Sequence, residues 1–484
     1  MPSCSNNGVE GISRRTFLGG VGAVAGMPLL CGGASFGERR LRLGVISDIH
    51  VAEKPSGPYY RFVQALRWLR DRDVDGVLIA GDLTERGFGC EMEVVRNAWQ
   101  SVFPNDKGRS GERVERLFTT GNHDLDGWRI YARRDKTFAE RAKTEAMSAN
   151  PAEFWRRFWN EPYEPVFSKT VKGYLVVLSH WGQNRHLPEF FKRHESELHG
   201  DKPFFYVQHA HPLGTLYDDY ENSSDKGVAT RELSRYPNAV AFSGHSHWPI
   251  NDPRAIWQGG FTSIACGSTS QIYLARGREN YMPAKSAVPG YVPQMPRTRM
   301  TDGGNAMVLD VYDDCMVFER HCVKFDERLG EDWVVPLPVR ADGKRPWQFG
   351  ARRSAAHPPA FPEGATVVVK VPSEPGKDRN GKDTYQVVVE FPRARQMEGD
   401  GGLRDYEVAA IDGEGGTVLA KRVYARYNYF SDARAVQLLG GECESCVFAK
   451  SELPADGVFR FRVTPFDCWG NAGSAIYGDG VKCL

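Results

Sequence analysis

The sequence predicts an α/β domain followed by a smaller β-sandwich, and three observations indicate this architecture. Six short apolar runs in the first half of the chain end in or beside Asp, Asn or His, as LGVISDIH and VAFSGHSH do. Between the first two runs, FVQALRWLRD carries apolar residues at helical spacing. Beyond residue 364, short alternating segments such as TYQVVVEF and FRFRVTPFD are separated by turns, as in β-sandwiches.

The six apolar runs are predicted as buried strands. They end at His50, Leu83, Asp124, His180, His211 and His247. Each has the length of a strand covered on both faces. In α/β folds the working groups gather where such strands end, because a rigid sheet holds loop-borne side chains in fixed positions. Five of the runs carry nitrogen and oxygen ligands of the kind that hold a pair of metal ions.

The order of these polar residues resembles the calcineurin-like metallophosphoesterase family. The matching motifs are Asp48-x-His50, Gly81-Asp82, Gly121-Asn122-His123-Asp124, His209 and Gly244-His245-Ser246-His247, within about residues 41–325. The resemblance implies a four-layer α/β/β/α sandwich. It also implies a hydrolase that attacks phosphomonoesters or phosphodiesters with a metal-bridging hydroxide. The alternative is a non-catalytic cell-surface binding protein with a relic metal site, and the intact motifs argue against it.

The resemblance also implies which residues bind metal. The first ion would take Asp48, His50, Asp82 and His247, and the second would take Asp82, Asn122, His209 and His245. Asp82 would bridge the two, because a carboxylate offers two oxygens. The mixture of imidazole, carboxylate and amide favours two divalent or mixed-valence ions of Mn, Fe or Zn. His211 stays an alternative to His209, because an extra residue separates His209 from Pro212.

The catalytic prediction centres on His123, which by resemblance points at the substrate. It would protonate the leaving oxygen or stabilise charge on the phosphoryl group. Asp126, three residues on, would hold that imidazole protonated and oriented, and Asp124 is its rival. Glu85 occupies the position where purple acid phosphatases carry a metal-bound Tyr, so a coloured iron–tyrosinate enzyme is not expected.

Four segments are predicted along the chain. They are a signal peptide at 1–37, the metallophosphoesterase domain at 38–340, a linker at 341–364 and a fibronectin type III-like β-sandwich at 365–484. The last assignment rests on YEVAAID and VFRFRVTPFDCWGNAG, which resemble that domain type. Within the second segment, residues 305–325 are predicted to form a hairpin that closes the sheet. The Gly- and Pro-rich stretch from Trp248 to Arg299 is the first choice for substrate recognition.

The N-terminal region resembles a twin-arginine export signal. Arg14 and Arg15 precede a glycine-broken apolar stretch from Phe17 to Leu30, which is too short to span a bilayer as a helix. The expected location is periplasmic, cell-surface or extracellular. A membrane association is expected only if Cys31 is lipidated, and the bulky Leu30 before it argues against that.

Composition and net charge limit the classes of molecule that the protein is expected to bind. The 484 residues carry a formal net charge of +1, so neither a nucleic-acid polymer nor a membrane surface is indicated. The expected partner is a small phosphate-ester substrate, attracted locally by metal, and the sequence does not indicate an oligomeric state. The cysteines at 443, 446, 468 and 483 allow a zinc site, but their loose spacing favours disulfides or buried thiols.

Overall fold

Two mixed β-sheets, seen in a computed structural model of the chain, carry the polar motifs. The structure describes residues 37–217, 225–273, 281–282, 298–299, 303–340, 342–377, 383–395, 402–425, 443–454 and 458–482. The predicted signal therefore lies outside the described residues, apart from Gly37, and so does most of the stretch 274–302. From Glu38 onward the chain forms one compact unit.

The strands divide into those before and those after residue 340. The first set is β1 (Leu41–Ile46), β2 (Gly76–Ala80), β3 (Glu115–Thr119), β4 (Val166–Val171), β5 (Tyr174–Ser179), β6 (Phe204–Val207), β7 (Ala239–Ser243), β8 (Ile256–Gln258), β9 (Thr262–Ala265), β10 (Tyr281–Met282), β11 (Thr298–Arg299), β12 (Asn305–Val311), β13 (Cys315–Cys322), β14 (Glu327–Arg328) and β15 (Trp333–Pro336). The second set is β16 (Val368–Lys370), β17 (Gly376–Lys377), β18 (Asp383–Thr384), β19 (Gln386–Pro392), β20 (Leu403–Ile411), β21 (Thr417–Tyr424), β22 (Cys443–Ala449), β23 (Val458–Asp467), β24 (Ile476–Tyr477) and β25 (Val481–Lys482).

Most of the helices connect strands of the first set. They are α1 (Gly57–Arg70), α2 (Gly89–Val102), α3 (Asn122–Asp126), α4 (Trp128–Ala132), α5 (Thr137–Glu145), α6 (Pro151–Trp159), α7 (Leu187–Arg193), α8 (Glu195–Leu198), α9 (Val228–Leu233) and α10 (Phe349–Ala355). Among the described residues, no helix is both long enough and apolar enough to cross a membrane.

The first sheet has the strand order β14-β13-β12-β1-β2-β3, with β15 paired to β13. Strands β1, β2 and β3 run parallel, with Ile46 opposite Ile79 and Ala80 opposite Thr119. Their carboxyl ends therefore meet at one edge, where the Asp48, Asp82 and Asn122 motifs begin. The predicted hairpin is confirmed, because β12 and β13 pair antiparallel and β12 joins the sheet at β1.

The second sheet has the order β4-β5-β6-β7-β9-β8. Strands β5, β6, β7 and β9 are parallel, and Val207 lies opposite Phe242. The segment carrying His209 follows β6, and the Gly-His-Ser-His segment follows β7. These two histidine motifs therefore leave the second sheet side by side.

Three apolar clusters hold these sheets and helices together. One contains side chains of both sheets, among them Val45, Leu78, Val207 and Phe242. A second contains the alternate residues of the first sheet, such as Ile79, together with α1, α2 and α6. A third joins the second sheet to α7, α8 and α9. Successive residues of β2 point to different clusters, as the two-residue period of a strand requires.

Helix α1 illustrates how the sequence specifies a crossover. Pro58 stands in its first turn, where the missing N–H has no helical partner to lose. Phe62, Leu66 and Leu69 recur at helical spacing and are fully buried. Burying one such side chain contributes roughly 1.5–3 kcal/mol. This face fixes the helix on the first sheet between β1 and β2.

The region after residue 365 is β-rich. One sheet has the order β16-β19-β22 and another β21-β20-β23-β24, with β25 paired to β23. Both contribute to one buried apolar cluster that includes Val389, Tyr406, Phe448 and Phe461. Strand β22 lies in a cysteine-containing segment that the sequence pattern does not identify as a strand.

The segment predicted as a linker, 341–364, carries helix α10 and several ordered contacts. The Trp347 backbone exchanges hydrogen bonds with Gln258, and its indole Nε1 donates to Val334 O at 3.0 Å. The buried Arg352 donates to Ile256 O at 3.1 Å. Phe349 packs edge-on against Trp469 of the C-terminal region, with ring centroids 4.9 Å apart.

Candidate metal centre

Four buried side chains form a first group at the edge where β1 and β2 end. The ligand atoms of Asp48, His50, Asp82 and His247 all lie within 4.8 Å of one another. The Nε2 atoms of His50 and His247 are 3.0 Å apart, and His247 Nε2 is 3.1 Å from Asp48 Oδ1. These are the residues predicted for the first ion.

A second group shares Asp82 with the first. It consists of Asp82, His209 and His245, whose ligand atoms also lie within 4.8 Å of one another. His209 Nε2 is 3.2 Å from Asp82 Oδ2 and 3.1 Å from Asn122 Oδ1. The four residues predicted for the second ion are thus brought together around one imidazole.

The hydrogen-bond partners of the imidazoles leave their lone pairs facing each other. His247 Nδ1 lies 3.1 Å from Gln271 O and His209 Nδ1 lies 2.7 Å from Ala80 O. A carbonyl only accepts, so each Nδ1 carries the hydrogen, and each neutral ring has its lone pair on Nε2. His50 has the same tautomer, because its Nδ1 lies 3.0 Å from Glu85 Oε2. Lone pairs and carboxylates converging at about 3 Å repel one another unless a cation lies among them. The donor set therefore fits divalent metal ions.

The electrostatics of the cluster agree with a cation site. Burial by itself raises the pKa of Asp48, but His247 and His209 outweigh it and lower the value to about 2. Burial lowers the pKa of His209, yet the Asp82 and Asp48 carboxylates outweigh that effect and raise it to about 9. His209 therefore keeps a second proton below about pH 9. The positive charge of that protonated ring offsets the carboxylates of Asp82 and Asp48, as the charge of a bound metal ion would.

Five of the predicted ligand residues adopt a backbone conformation that is uncommon for residues other than glycine. Positive φ angles occur at Asp48 (51°), His50 (46°), Asp82 (51°), His245 (67°) and His247 (57°). Such angles cost of order 1–3 kcal/mol each and persist only where the surroundings impose them. Their concentration in one cluster indicates that the strand ends are shaped to aim these side chains inward.

Two glycines allow the ligand loops to approach each other. A Cβ on Gly121 would overlap Asp82 Oδ1, and a Cβ on Gly244 would overlap Asp48 Oδ2. Both residues have no room for any side chain, which explains why each precedes a ligand motif. The glycines of the Gly-Asn-His-Asp and Gly-His-Ser-His motifs thus serve close packing around the carboxylates.

His123 lies beside the first group, but another element orients it. Its Nδ1 donates to the backbone carbonyl of Glu85 at 2.7 Å, and its backbone N–H donates to Asp82 Oδ1 at 2.8 Å. Its ring meets that of His50 edge to face, with centroids 4.5 Å apart. Burial lowers the pKa of His123, but the Asp82 and Glu85 carboxylates outweigh it and raise the pKa above its usual range.

The predicted role of Asp126 needs correction. Its carboxylate pairs with Arg129 Nε at 2.9 Å and is 43% exposed, so it does not reach the His123 imidazole. Asp126 lies three residues after His123 in α3, and its side chain is on the outer face of this helical turn, away from the ligand groups. Its rival Asp124 is buried and accepts from the backbone N–H groups of Leu83, Thr84 and Gly121. Asp124 therefore ties the Asp82 loop to the Asn122 turn.

Glu85 is the site residue that the sequence argument missed. One carboxylate oxygen accepts from His50, the other accepts from the Tyr131 hydroxyl, and its backbone carbonyl holds His123. Burial raises the pKa of Glu85, but hydrogen bonding and charge from His50 outweigh this and lower it to about 2. In the sequence, its place three residues after Asp82 indicated only that the metal-bound Tyr of purple acid phosphatases is missing, because no motif marks a carboxylate that supports a histidine.

The structure distinguishes the two histidines of the His-Ala-His-Pro segment. His209 faces Asp82, whereas the two nitrogens of His211 lie 2.7 Å from Ser243 Oγ and 2.8 Å from Ser246 Oγ. His211 thereby stabilises the turn that carries His245 and His247. The extra residue before Pro212 accommodates this second, supporting imidazole.

Five of the described cysteines are free thiols, namely Cys90, Cys266, Cys315, Cys322 and Cys468. Cys443 and Cys446 lie on strand β22, where Cys446 is buried in the apolar cluster and Cys443 is exposed. Cys468 is buried close to α10. Residue 483 lies outside the described residues, so the pairing of that cysteine is not described.

Comparison with known families supports the reading of the motifs. The sequence model for calcineurin-like phosphoesterases matches residues 41–249. Residues 41–249 form a calcineurin-like metallophosphoesterase domain. Every residue of the two ligand groups lies inside this domain. None of the curated proteins compared with the chain matches it significantly in sequence.

Several solved structures are similar to this chain. A dimetal phosphatase from Danio rerio is 10% identical, with 62% of this chain and 99% of that chain covered and a TM-score of 0.37. GAP50, the anchor in the inner membrane complex of Plasmodium, is 12% identical, with coverages of 64% and 91% and a TM-score of 0.36. An archaeal phosphodiesterase is 12% identical, with coverages of 61% and 100% and a TM-score of 0.25. These similarities are too distant to transfer an activity.

Proposed function

We propose that the protein is a metal-dependent phosphoesterase that hydrolyses phosphomonoesters or phosphodiesters at a dinuclear centre. The observation that carries this proposal is the pair of ligand groups sharing Asp82. A bridging carboxylate suits two ions about 3.5–4 Å apart, the spacing of dinuclear hydrolases. Mn, Fe or Zn ions bound there would supply an activated water nucleophile and offset the negative charge of the phosphoryl oxygens.

The residues of the chain supply the remaining chemistry. His123 adjoins the first group with its Nε2 available, because Nδ1 is engaged by Glu85 O. It is therefore suited to donate a proton to the leaving oxygen of the ester. Asp48, His50, His209 and His247 are buried, whereas Asn122, His123 and His245 are partly exposed. The substrate would approach from the side of the centre where these partly exposed residues lie.

A turnover assay tests the proposal. The full-length protein is stripped with a chelator, reloaded with Mn, Fe or Zn, and offered nitrophenyl phosphate, bis-nitrophenyl phosphate and a cyclic nucleotide. Hydrolysis that disappears with the metal and returns on reloading is expected. The matched variant Asp82→Asn should lose nearly all activity and at least one ion per chain, measured by elemental analysis, while keeping its fold. No turnover of any ester by the reloaded protein would mean that the metal site serves binding alone.

We further propose export through the twin-arginine route to the periplasm, the cell surface or the outside. The support is Arg14-Arg15 before the weakly apolar stretch, in a segment outside the described residues. That route carries folded proteins, which suits a site loaded before transport. The double change Arg14→Lys and Arg15→Lys should leave unprocessed protein in the cytoplasm. Unchanged secretion would contradict the proposal.

Two proposals concern architecture. The shared apolar cluster between the sheets, with helices on their outer faces, supports a four-layer α/β/β/α arrangement. The two small sheets after residue 365 share another cluster, which supports a fibronectin type III-like sandwich.

A further inference from the structure

The indole of Trp181 lies beside the second ligand group. Its ring centroid is 5.3 Å from that of His245 and 5.6 Å from that of His209. The Trp181 backbone N–H donates to Thr120 O and to Thr120 Oγ1, each at 3.1 Å. Because Thr120 directly precedes the Gly121-Asn122 turn, these bonds hold the indole against the loop that carries a ligand.

Trp181 belongs to the open side of the centre. It is partly exposed, like Asn122, His123 and His245, whereas the other ligand residues are buried. For a phosphate ester bound at the second group, the part beyond the phosphoryl group would therefore lie near this ring.

The packing of the protein does not account for Trp181. It is absent from the three apolar clusters that hold the sheets and helices together, unlike Trp99, Trp155 and Trp159. A large amphipathic ring that is partly exposed at a site entrance is typical of a binding residue.

We propose that Trp181 contacts the substrate and selects phosphate esters that carry a planar aromatic group, such as a nucleobase or an aryl ring. The inference rests on the proposed phosphoesterase function and specifies its substrate class. An indole face favours offset stacking with another planar ring. Stacking of a base on an aromatic side chain stabilises binding by roughly 1–3 kcal/mol, which is about 5- to 160-fold in affinity.

The binding experiment compares ligands of the same charge and similar size. The metal-loaded, full-length protein is titrated calorimetrically with phenylphosphonate and cyclohexylphosphonate, which differ chiefly in planarity. Wild-type protein should bind the phenyl compound about tenfold more tightly. Trp181→Leu should remove the difference, and Trp181→Phe should keep most of it. Metal content, measured on each variant, should be unchanged.

A matched control is available in Trp68, which stacks on His321 with centroids 4.7 Å apart, outside both ligand groups. Trp68→Phe should leave the preference unaltered. Equal or tighter binding of the cyclohexyl compound by wild-type protein would overturn the inference, since apolar burial alone would then explain it. Loss of metal in Trp181→Leu would also overturn it, by making the ring a support for His245.

Binding and turnover separate this inference from the proposed function. Phosphonates are not hydrolysed, so the phenyl preference is measured without catalysis. If the preference is present and no ester is turned over, the phosphoesterase proposal fails while the contact stands. If aryl and alkyl esters are hydrolysed with no change of their KM ratio in Trp181→Leu, the function stands and the Trp181 contact is refuted.

Discussion

At the scale of single residues, the candidate site depends on how each imidazole is held. His50, His209 and His247 each use Nδ1 for a carboxylate or carbonyl partner and direct Nε2 at the cluster. This arrangement fixes both the ring orientation and the tautomer, and partners of this kind tune metal affinity. The supporting groups are therefore expected to matter for metal binding although they lie outside the two ligand groups that share Asp82.

Glu85 provides a direct test of that expectation. Glu85→Gln should weaken metal binding by about 10- to 100-fold, because His50 loses its ionised partner. Competition with a fluorescent chelator measures the affinity. Tyr131→Phe should have a smaller effect in the same direction, since it removes one donor to the same carboxylate.

The matched control for Glu85 is Glu53→Gln. Glu53 is 47% exposed and pairs only loosely with Arg86 at 3.9 Å. This exchange removes the same charge close to the site without touching a ligand. If both variants weaken metal binding equally, long-range charge rather than the Glu85–His50 contact governs the affinity.

His123 should act on the leaving group rather than on metal binding. His123→Ala should lower activity by about 10²- to 10⁴-fold while metal content stays near normal. The loss should be smaller for nitrophenyl esters, whose leaving oxygen needs no proton. Rates across leaving groups of different pKa measure the effect. A uniform loss would indicate charge stabilisation instead, and Asp126→Asn, which does not reach His123, should change little.

At the scale of elements, the end of β5 contains a buried ionisable group away from the metal ligands. His180 stacks on Tyr163 with centroids 4.1 Å apart, and its Nδ1 accepts from Thr120 N at 3.2 Å. Burial, with a smaller contribution from Lys169, lowers its pKa from 6.5 to about 3. The folded protein thus holds this imidazole neutral against the rings of Tyr163 and Trp155.

Acid should therefore destabilise the fold through His180. Between pH 6.5 and 3 the unfolded chain binds a proton that the folded chain does not. The contribution is complete above pH 6.5 and declines as pH falls, by up to ~1.4 kcal/mol per pH unit. His180→Phe should flatten the dependence of the unfolding free energy on pH between 7 and 5, measured with urea. His199→Phe, at an exposed site, should leave the slope as it is, and an unchanged slope in His180→Phe would contradict the assignment.

At the scale of the whole molecule, the segment 341–364 contacts both the region that carries the candidate metal centre and the C-terminal region. Trp347 and Arg352 bond to strand β8, while Phe349 packs on Trp469. Every residue of the two ligand groups lies before Trp248. Metal binding should therefore tolerate removal of the C-terminal region more readily than stability does.

Two truncations locate the stabilising contacts. A chain ending at Arg340 loses Trp347 and Arg352, whereas a chain ending at Ala356 keeps them. The longer chain should be more stable, on the order of 2–4 kcal/mol, because truncating a packed aromatic has an effect of that size. Thermal unfolding and elemental analysis provide the measurements. Identical unfolding temperatures would show that the segment 341–356 does not stabilise the region that carries the candidate metal centre.

The sequence by itself determined the six buried strands that carry the polar motifs and the residue types that follow them. Apolar runs such as GVLIA specify a buried strand, and the residue type and spacing in Asp48-x-His50 or His245-Ser246-His247 indicate metal binding. These are local properties, because periodicity and motif spacing are written in consecutive residues. The hairpin at β12 and β13 was predictable for the same reason.

Only the tertiary structure decided which groups support the ligands. Glu85, Gln271 O and Ala80 O each hold a different imidazole, and none is marked by a motif. The choice of His209 over His211, and the exclusion of Asp126 from His123, likewise depend on which side chains face each other across two sheets. A hydrogen bond depends on distance and direction in space, and residues far apart in the chain acquire these only when the sheets pack.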